Sequence, residues 1–293
     1  MRLAWVVLLI VAACSVAPES PSKSERQQFV AAACPQVTNS FFYTLTKDGK
    51  TSYLFGTRHV SVGLDKFPRN VHAAWEAASV LVVESDTLDV AGPATAPPSI
   101  EAALGGDDYA KYRKLVGTQI ADEQNARGVA NGIVSIITLY DDFDQQLDTE
   151  LQRSAKEMKR EIVYLETAKE TGALAANDTL LGAERLRKLL AMTKNRRMIR
   201  ESIRHSLSLY CAGEWESGTL EFLAAPIVKG RNERWIERLD ALATERGGVF
   251  IAVGANHVIG PEGLIDMFQK RGFELARNPE PTPAPSTTAG SAN

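Results

Sequence analysis

The sequence predicts a mixed α/β fold, in which a central sheet is built from βαβ-like halves at the two ends of the chain and carries a large helical insertion. Three observations predict it. The segment "NSFFYTLTKDGKTSYLFGT" from Asn39 sets two β-rich runs around Asp48-Gly49, a pair that favours the positive φ angles of a tight hairpin turn. Two runs, Val80–Val83 and Val249–Val253, are continuously apolar, as strands covered on both faces are. Between about Ile100 and Arg246 the pattern is largely helical, so the sheet must come mainly from the flanks.

Taken in order, the hairpin's second strand ends at Gly56 and is followed by Thr57-Arg58-His59. A loop reaches Pro68, and "RNVHAAWEAA" then places Val71, Ala74, Trp75 and Ala78 on one helical face. The run Val80–Val83 closes on Glu84. Inside the insertion, "REIVYLET" holds a short apolar run, Ile162 to Leu165, that closes on Glu166 and reads as another sheet strand. Helices are expected from about Ala183 to Tyr210, from Leu220 to about Val228 and from Asn232 to Glu245. The run Val249–Val253 delivers Gly254-Ala255-Asn256-His257. A helix then starts at Pro261, whose fixed φ suits a first turn, and stops at Gly272. A strand from Phe273 to Ala276 ends the domain, which is expected to span 36–277.

The ends read differently. In "MRLAWVVLLIVAACSVAPES" the apolar core Leu3–Ala13 follows Arg2 and is too short to span a bilayer, the pattern of an export signal. Val11-Ala12-Ala13-Cys14 resembles the bacterial lipobox, so residues 1–14 are expected to be a lipoprotein signal with Cys14 as the lipidated anchor to the membrane; the alternative is an ordinary cleavage site beside an incidental cysteine. Ser15 resembles a signal for outer-membrane sorting, which would place the protein in the cell envelope facing the periplasm. Residues 15–35 are expected to be a spacer, and the Pro/Ala/Thr-rich tail 278–293 cannot bury enough surface to order itself. Cys34 and Cys211 remain as an even pair in a chain that reads as exported, which predicts a disulfide, with two separate buried thiols as the alternative. With 33 basic and 36 acidic residues, nothing calls for a nucleic-acid partner.

A lone Gly-x-x-His carries little information, since chance supplies about 0.3 such matches in a chain of this composition. Two of the 4 histidines have it, however, and both follow a predicted strand. Glycines there let the backbone turn or approach closely, and two such turns at the carboxyl ends of neighbouring strands would bring His59 and His257 into one crevice. The bland alternative is two histidines that satisfy loop backbone. His72 and His205 sit in helical patterns with no partner motif. Glu84 and Glu166 each terminate an apolar run, so each should emerge at a sheet edge, where a buried carboxylate needs a partner or a metal. Two imidazoles and a carboxylate form a set that can hold Zn, Mn, Fe or Co, while a second carboxylate takes a proton from water. For Glu166 a simple helix-start role stands beside this one. Arg231, in "KGRNERW", is placed to bind a substrate carboxylate or an oxyanion, or else to sit on a solvated helix start. The basic run with Arg196, Arg200 and Arg204 reads as a solvated face, and "DDFDQQLD" as a charged surface turn. No Gly-x-Ser-x-Gly elbow, P-loop, dinucleotide fingerprint or His-Glu-x-x-His helix is found.

These residues resemble the TraB/PrgY/GumN family, which includes the animal TIKI metalloproteases and many bacterial lipoproteins. The resemblance covers about Asn39 to Ala276 and rests on "YLFGTRHVS", "VLVVESD", "IVYLET", "RNERW" and "VGANHVIGPEGLIDMFQKRGFEL". It implies a mixed α/β core with both Gly-x-x-His turns on one cleft and, by similarity to TIKI, a divalent-metal-dependent peptidase using Mn, Co or Zn. By that resemblance His59, His257 and Glu84 are the metal or catalytic groups, and Arg231 with Asn232 the polar pair beside them. Glu84 or Glu166 would act as base. The rival expectation, from PrgY-like members, is a tethered protein that binds or sequesters a peptide without turnover.

Overall fold

The computed structural model describes residues 20–88, 97–167, 170, 179–193, 195–214, 219–260 and 262–280, with the side chains of 179–181 and 219–227 left aside. The expected signal segment with Cys14, Pro261 and the tail beyond residue 280 lie outside the described residues; the helix expected to start at Pro261 begins at Leu264.

The chain opens with α1 (Lys23–Ala33), then β1 (Phe42–Lys47) and β2 (Lys50–Thr57), α2 (Arg69–Ala77) and β3 (Val80–Val83). The insertion holds α3 (Ile100–Leu104), α4 (Gly106–Val116), α5 (Thr118–Asn125), α6 (Val129–Ile137), α7 (Leu147–Glu157), β4 (Glu161–Tyr164), α8 (Thr179–Met192), α9 (Arg196–Ala212) and α10 (Thr219–Arg246). The last part is β5 (Val249–Gly254), the single turn α11 (Ala255–Val258), α12 (Leu264–Lys270) and β6 (Glu274–Arg277). Asp48 and Gly49 both take positive φ, 52° and 72°, which is why this dipeptide closes the β1–β2 hairpin.

The strands form one sheet in the order β4-β3-β5-β2-β1-β6. β2, β5, β3 and β4 run parallel to one another, and β1 pairs antiparallel with both β2 and β6. β3 and β5 are buried along their whole length, as their uninterrupted apolar runs require. The chain leaves β3 towards the β4 edge and leaves β5 towards the β6 edge. The crevice between their carboxyl ends is therefore a topological switch point, the usual place for a ligand in an open α/β sheet.

Several boundaries differ from the sequence expectation. The expected spacer 15–35 contains α1, capped by Ser22 and burying Phe29 and Val30. Phe29 packs on Tyr140, with ring centroids 5.4 Å apart, so two adjacent apolar side chains help to dock a mostly polar helix. Cys34 and Cys211 are disulfide-bonded, tying the end of α1 to α9. Asn278, expected to begin the tail, donates its backbone N–H to Phe42 O at 2.8 Å and its amide to Ser40 O at 3.0 Å, so the ordered domain runs at least that far. One helix expected from Ala183 to Tyr210 is two, because the Asn195 side chain accepts from Met198 N and starts α9 afresh. The two helices expected on either side of Gly230 are the single helix α10. Among the described residues no helix is long and apolar enough to cross a membrane.

Candidate functional site

The two Gly-x-x-His motifs interlock through their glycines. β2 and β5 are parallel neighbours, with Gly56 opposite Val253 and Thr57 opposite Gly254. A Cβ on Gly56 would lie 2.8 Å from Phe41 Cβ and 3.1 Å from Ala255 Cα, inside the second motif. A Cβ on Gly254 would lie 3.0 Å from His59 Nε2 and 3.3 Å from Glu84 Oε1. Each glycine thus clears space for the other motif, and close approach rather than backbone freedom explains both. The Gly56 carbonyl is held by the buried Tyr210 hydroxyl at 2.9 Å.

His257 is buried, and its ring is fixed on three sides. Asn232, on α10, donates its amide to His257 O at 3.1 Å and to Glu262 O at 3.0 Å. That orientation leaves Asn232 Oδ1 as an acceptor 2.7 Å from His257 Nδ1, so Nδ1 carries the proton and Nε2 presents a lone pair. Trp235 packs against the ring at a 37° tilt with centroids 4.5 Å apart. Burial holds the imidazole neutral, lowering its pKa to about 4. Arg231 Nη1 lies 3.2 Å from Nε2, and Glu84 Oε1 is 3.8 Å away.

His59 stands at the rim with 60% of its side chain exposed. Its Nδ1 is hydrogen-bonded to Asp148 Oδ2, and Asp148 belongs to the first turn of α7. The Asp148 carboxylate raises the imidazole to about 9; solvent around so open a ring weakens that attraction. With Nδ1 engaged, His59 Nε2 faces the same Gly254 backbone as the Glu84 carboxylate.

Glu84 accepts the Gly254 N–H at 2.7 Å through Oε1 and Arg231 Nη2 at 2.8 Å through Oε2. Burial pushes its pKa up, but His59, His257 and Arg231 more than offset this and bring it down to about 2. Glu166, also buried, takes Arg231 Nε and Nη2 at 2.8 Å each, one on each oxygen. Burial opposes the charge of Arg231, and the carboxylates of Glu166 and Glu84 raise its pKa nonetheless. The guanidinium also lies 4.5 Å from the Trp235 ring centroid.

All six sequence candidates at the sheet edge, His59, Glu84, Glu166, Arg231, Asn232 and His257, therefore come together. Glu84 is the carboxylate next to the imidazoles, whereas Glu166 faces Arg231. Among the described residues no three histidine, cysteine or carboxylate groups stand ready around a common point for a metal ion, and Arg231 lies between Glu84 and His257. The donor types nevertheless fit a divalent cation: two Nε2 atoms, each on a ring whose Nδ1 is held by another residue, beside an ionised carboxylate.

A family model described as the TraB/PrgY/gumN family matches residues 41–277. The chain belongs to the TraB/PrgY/gumN family. No curated protein and no solved structure matches it. In this TraB/PrgY/gumN chain the matched span contains the whole sheet and every residue of the cluster.

Two participants in the TraB/PrgY/gumN cluster carry no sequence signal strong enough to find them. Asp148 meets His59 across 89 positions and Asp141 meets Arg58 across 83; neither pairing has any local pattern. The expected surface turn "DDFDQQLD" is instead partly core, since Asp141 is 1% and Asp142 4% exposed. Trp235 was findable, because it lies four residues after Arg231 on a helix and so shares its face. Arg200 and Arg204 are exposed as expected, though each guanidinium also reaches over the Phe29 ring of α1, at 5.7 and 5.6 Å.

Proposed function

We propose that this chain is a lipid-anchored envelope hydrolase, tethered through Cys14, that cleaves peptide bonds with a divalent cation, Mn, Co or Zn, held by His59, Glu84 and His257. One observation carries the reading. Both imidazoles have Nδ1 occupied, His59 by Asp148 and His257 by Asn232, and both stand beside Glu84 at the switch point of the sheet. That is how histidine ligands are oriented in metal sites. When bound, such an ion supplies Lewis-acid polarisation of a carbonyl and makes water a better nucleophile.

The residues divide the remaining work. Glu84 is ionised throughout the neutral range and contributes ligand charge. Glu166 holds Arg231, because both its oxygens are taken up by the guanidinium. Of the five N–H donors of an arginine, three of Arg231 are engaged by the carboxylates of Glu84 and Glu166; the Nη1 donor that faces His257 Nε2 is released when that lone pair ligates the cation, so Nη1 is left for a developing oxyanion. Asn232 acts through His257 rather than on substrate, with its amide committed to three hydrogen bonds. Metal analysis of the purified protein, together with melting and peptide cleavage in added Mn, Co or Zn, tests the reading. His59→Ala should abolish metal uptake and leave the fold intact, because the ring is mostly exposed. Absence of a stoichiometric ion, with no response to any of the three metals, would sink it.

A specific observation favours the alternative, a tethered peptide-capturing protein without turnover: Arg231 donates to Glu84 Oε2 and faces His257 Nε2, two of the atoms a cation would need. Recovery of a bound peptide intact after long incubation with metal-loaded protein would decide for capture.

A further inference from the structure

The segment from Asp141 through the first two turns of α7 is fastened to both loops that carry the candidate site. On the His59 loop, Ser61 N donates to Asp142 O at 3.0 Å and to Gln145 O at 2.8 Å. Ser61 Oγ donates to Asp141 Oδ1 at 2.7 Å and accepts from Asp142 N at 2.9 Å. Ser61 makes these contacts at a φ of 79°, a left-handed conformation that a serine holds only when its surroundings enforce it. Arg58 Nη2 contacts both Asp141 oxygens, at 2.8 and 3.0 Å, and Leu64 N donates to Glu150 Oε2 at 2.9 Å. On the Glu84 loop, the buried Gln152 donates to Ser85 O at 3.1 Å and accepts from Thr87 N at 3.1 Å. Thr149 Oγ1 donates to Thr87 Oγ1 at 3.0 Å.

Between these fastenings stands Asp148, whose carboxylate is only 14% exposed and meets His59 Nδ1. We propose that Asp148 is the positioning residue of the site: the clasp made by Arg58, Ser61 and Gln152 brings its carboxylate to His59 Nδ1 and thereby aims His59 Nε2 at Glu84. The helical insertion is then part of the functional centre. This deepens the hydrolase reading, since its use for His59 rests on that reading, but the contact itself can be tested without it. An exposed ring attached at the end of a loop has free rotation about χ1 and χ2 unless a second contact holds it. Among the described residues, Asp148 is the hydrogen-bond partner that holds the His59 ring.

The experiment uses the full chain and the variants Asp148→Asn, Asp148→Ala and Asp148→Glu. Side-chain 15N NMR of the metal-free proteins reads whether His59 Nδ1 carries a proton in a strong hydrogen bond, and calorimetric titration with Mn(II) reads ligand quality. The wild type should show the low-field His59 Nδ1–H, which Asp148→Asn and Asp148→Ala lose and Asp148→Glu partly restores. Mn(II) affinity should fall about 10- to 100-fold in Asp148→Asn, the usual effect of losing the partner of a ligating histidine. If the wild type also binds no Mn(II) but the NMR signature is lost in Asp148→Asn, the positioning role holds and the metal reading fails. If Asp148→Asn, which is isosteric and keeps its neighbours, leaves both the His59 signals and Mn(II) affinity within twofold of wild type, the proposal is overturned.

Discussion

At the scale of single residues, the duplicated motif behaves as one unit because each glycine lies against the other copy. Gly56 and Gly254 occupy the same place in their motifs but should respond differently to alanine. Gly56→Ala drives a methyl against Phe41 Cβ and the Ala255 backbone, so it should destabilise the fold by about 1–3 kcal/mol as an overpacked core does, read as a lower denaturation midpoint. Gly254→Ala meets the His59 ring and the Glu84 carboxylate instead. Its denaturation midpoint should stay near wild type while metal uptake and peptide cleavage fall at least about tenfold. The titrating groups make a second prediction. His257 refuses a proton down to about pH 4, whereas the unfolded chain takes one near 6.5. Stability therefore falls as pH drops from 6.5 to 4, by up to about 3 kcal/mol, and Glu84 adds to the loss between about 4.5 and 2 as its carboxylate protonates. His59 acts in the other direction: its raised pKa stabilises the fold fully below 6.5, and that contribution is lost as pH rises towards 9. Melting temperature against pH should peak near 6.5, with the weaker alkaline limb disappearing in His59→Gln. A melting temperature that rises between pH 6.5 and 5 would contradict this.

At the scale of elements, α10 and α7 supply what the strand ends lack. Arg231, Asn232 and Trp235 share a stretch of α10, so one helix both neutralises the two carboxylates and fixes the His257 tautomer. Asn232→Leu removes the acceptor of His257 Nδ1 and leaves that N–H and two carbonyls without their amide partner. A cost of about 2–4 kcal/mol in stability is expected, in line with buried polar groups left unpaired, and urea unfolding measures it. The disulfide joins α1 to α9 across a sequence separation of 177. Replacing Cys34 and Cys211 together by serine should cost about 2–4 kcal/mol under oxidising conditions. The same substitution should change nothing when the wild type is melted in excess reductant, which separates the cross-link from packing.

At the scale of the whole molecule, the described part is one sheet with its working edge formed from segments spread over nearly 200 residues, from His59 to His257. The parallel strands β2, β5, β3 and β4 end on the same side, and each ends in a residue of the cluster or leads directly to one. The proposed tether at Cys14 is tested at this scale. Cys14→Ser should move the protein from the membrane to the soluble fraction and abolish incorporation of labelled palmitate, with the melting curve of the domain unchanged. Retention of the variant in the membrane would refute the anchor.

By itself the sequence determined the strands, the hairpin turn, the paired Gly-x-x-His motifs and the glutamates that close β3 and β4. Those features are local: apolar runs, a dipeptide with positive φ, and a residue at the end of a buried segment all act within a few positions. Only the tertiary structure decided that β5 lies between β2 and β3, and that Glu84 rather than Glu166 adjoins the imidazoles. It also showed that Asp141 and Asp148, in a run that looks like a charged surface turn, are packed behind Arg58 and His59. A carboxylate carries the same sequence signature whether water or an arginine satisfies it. The difference lies in which distant segment the fold lays against it, and here that segment is the helical insertion.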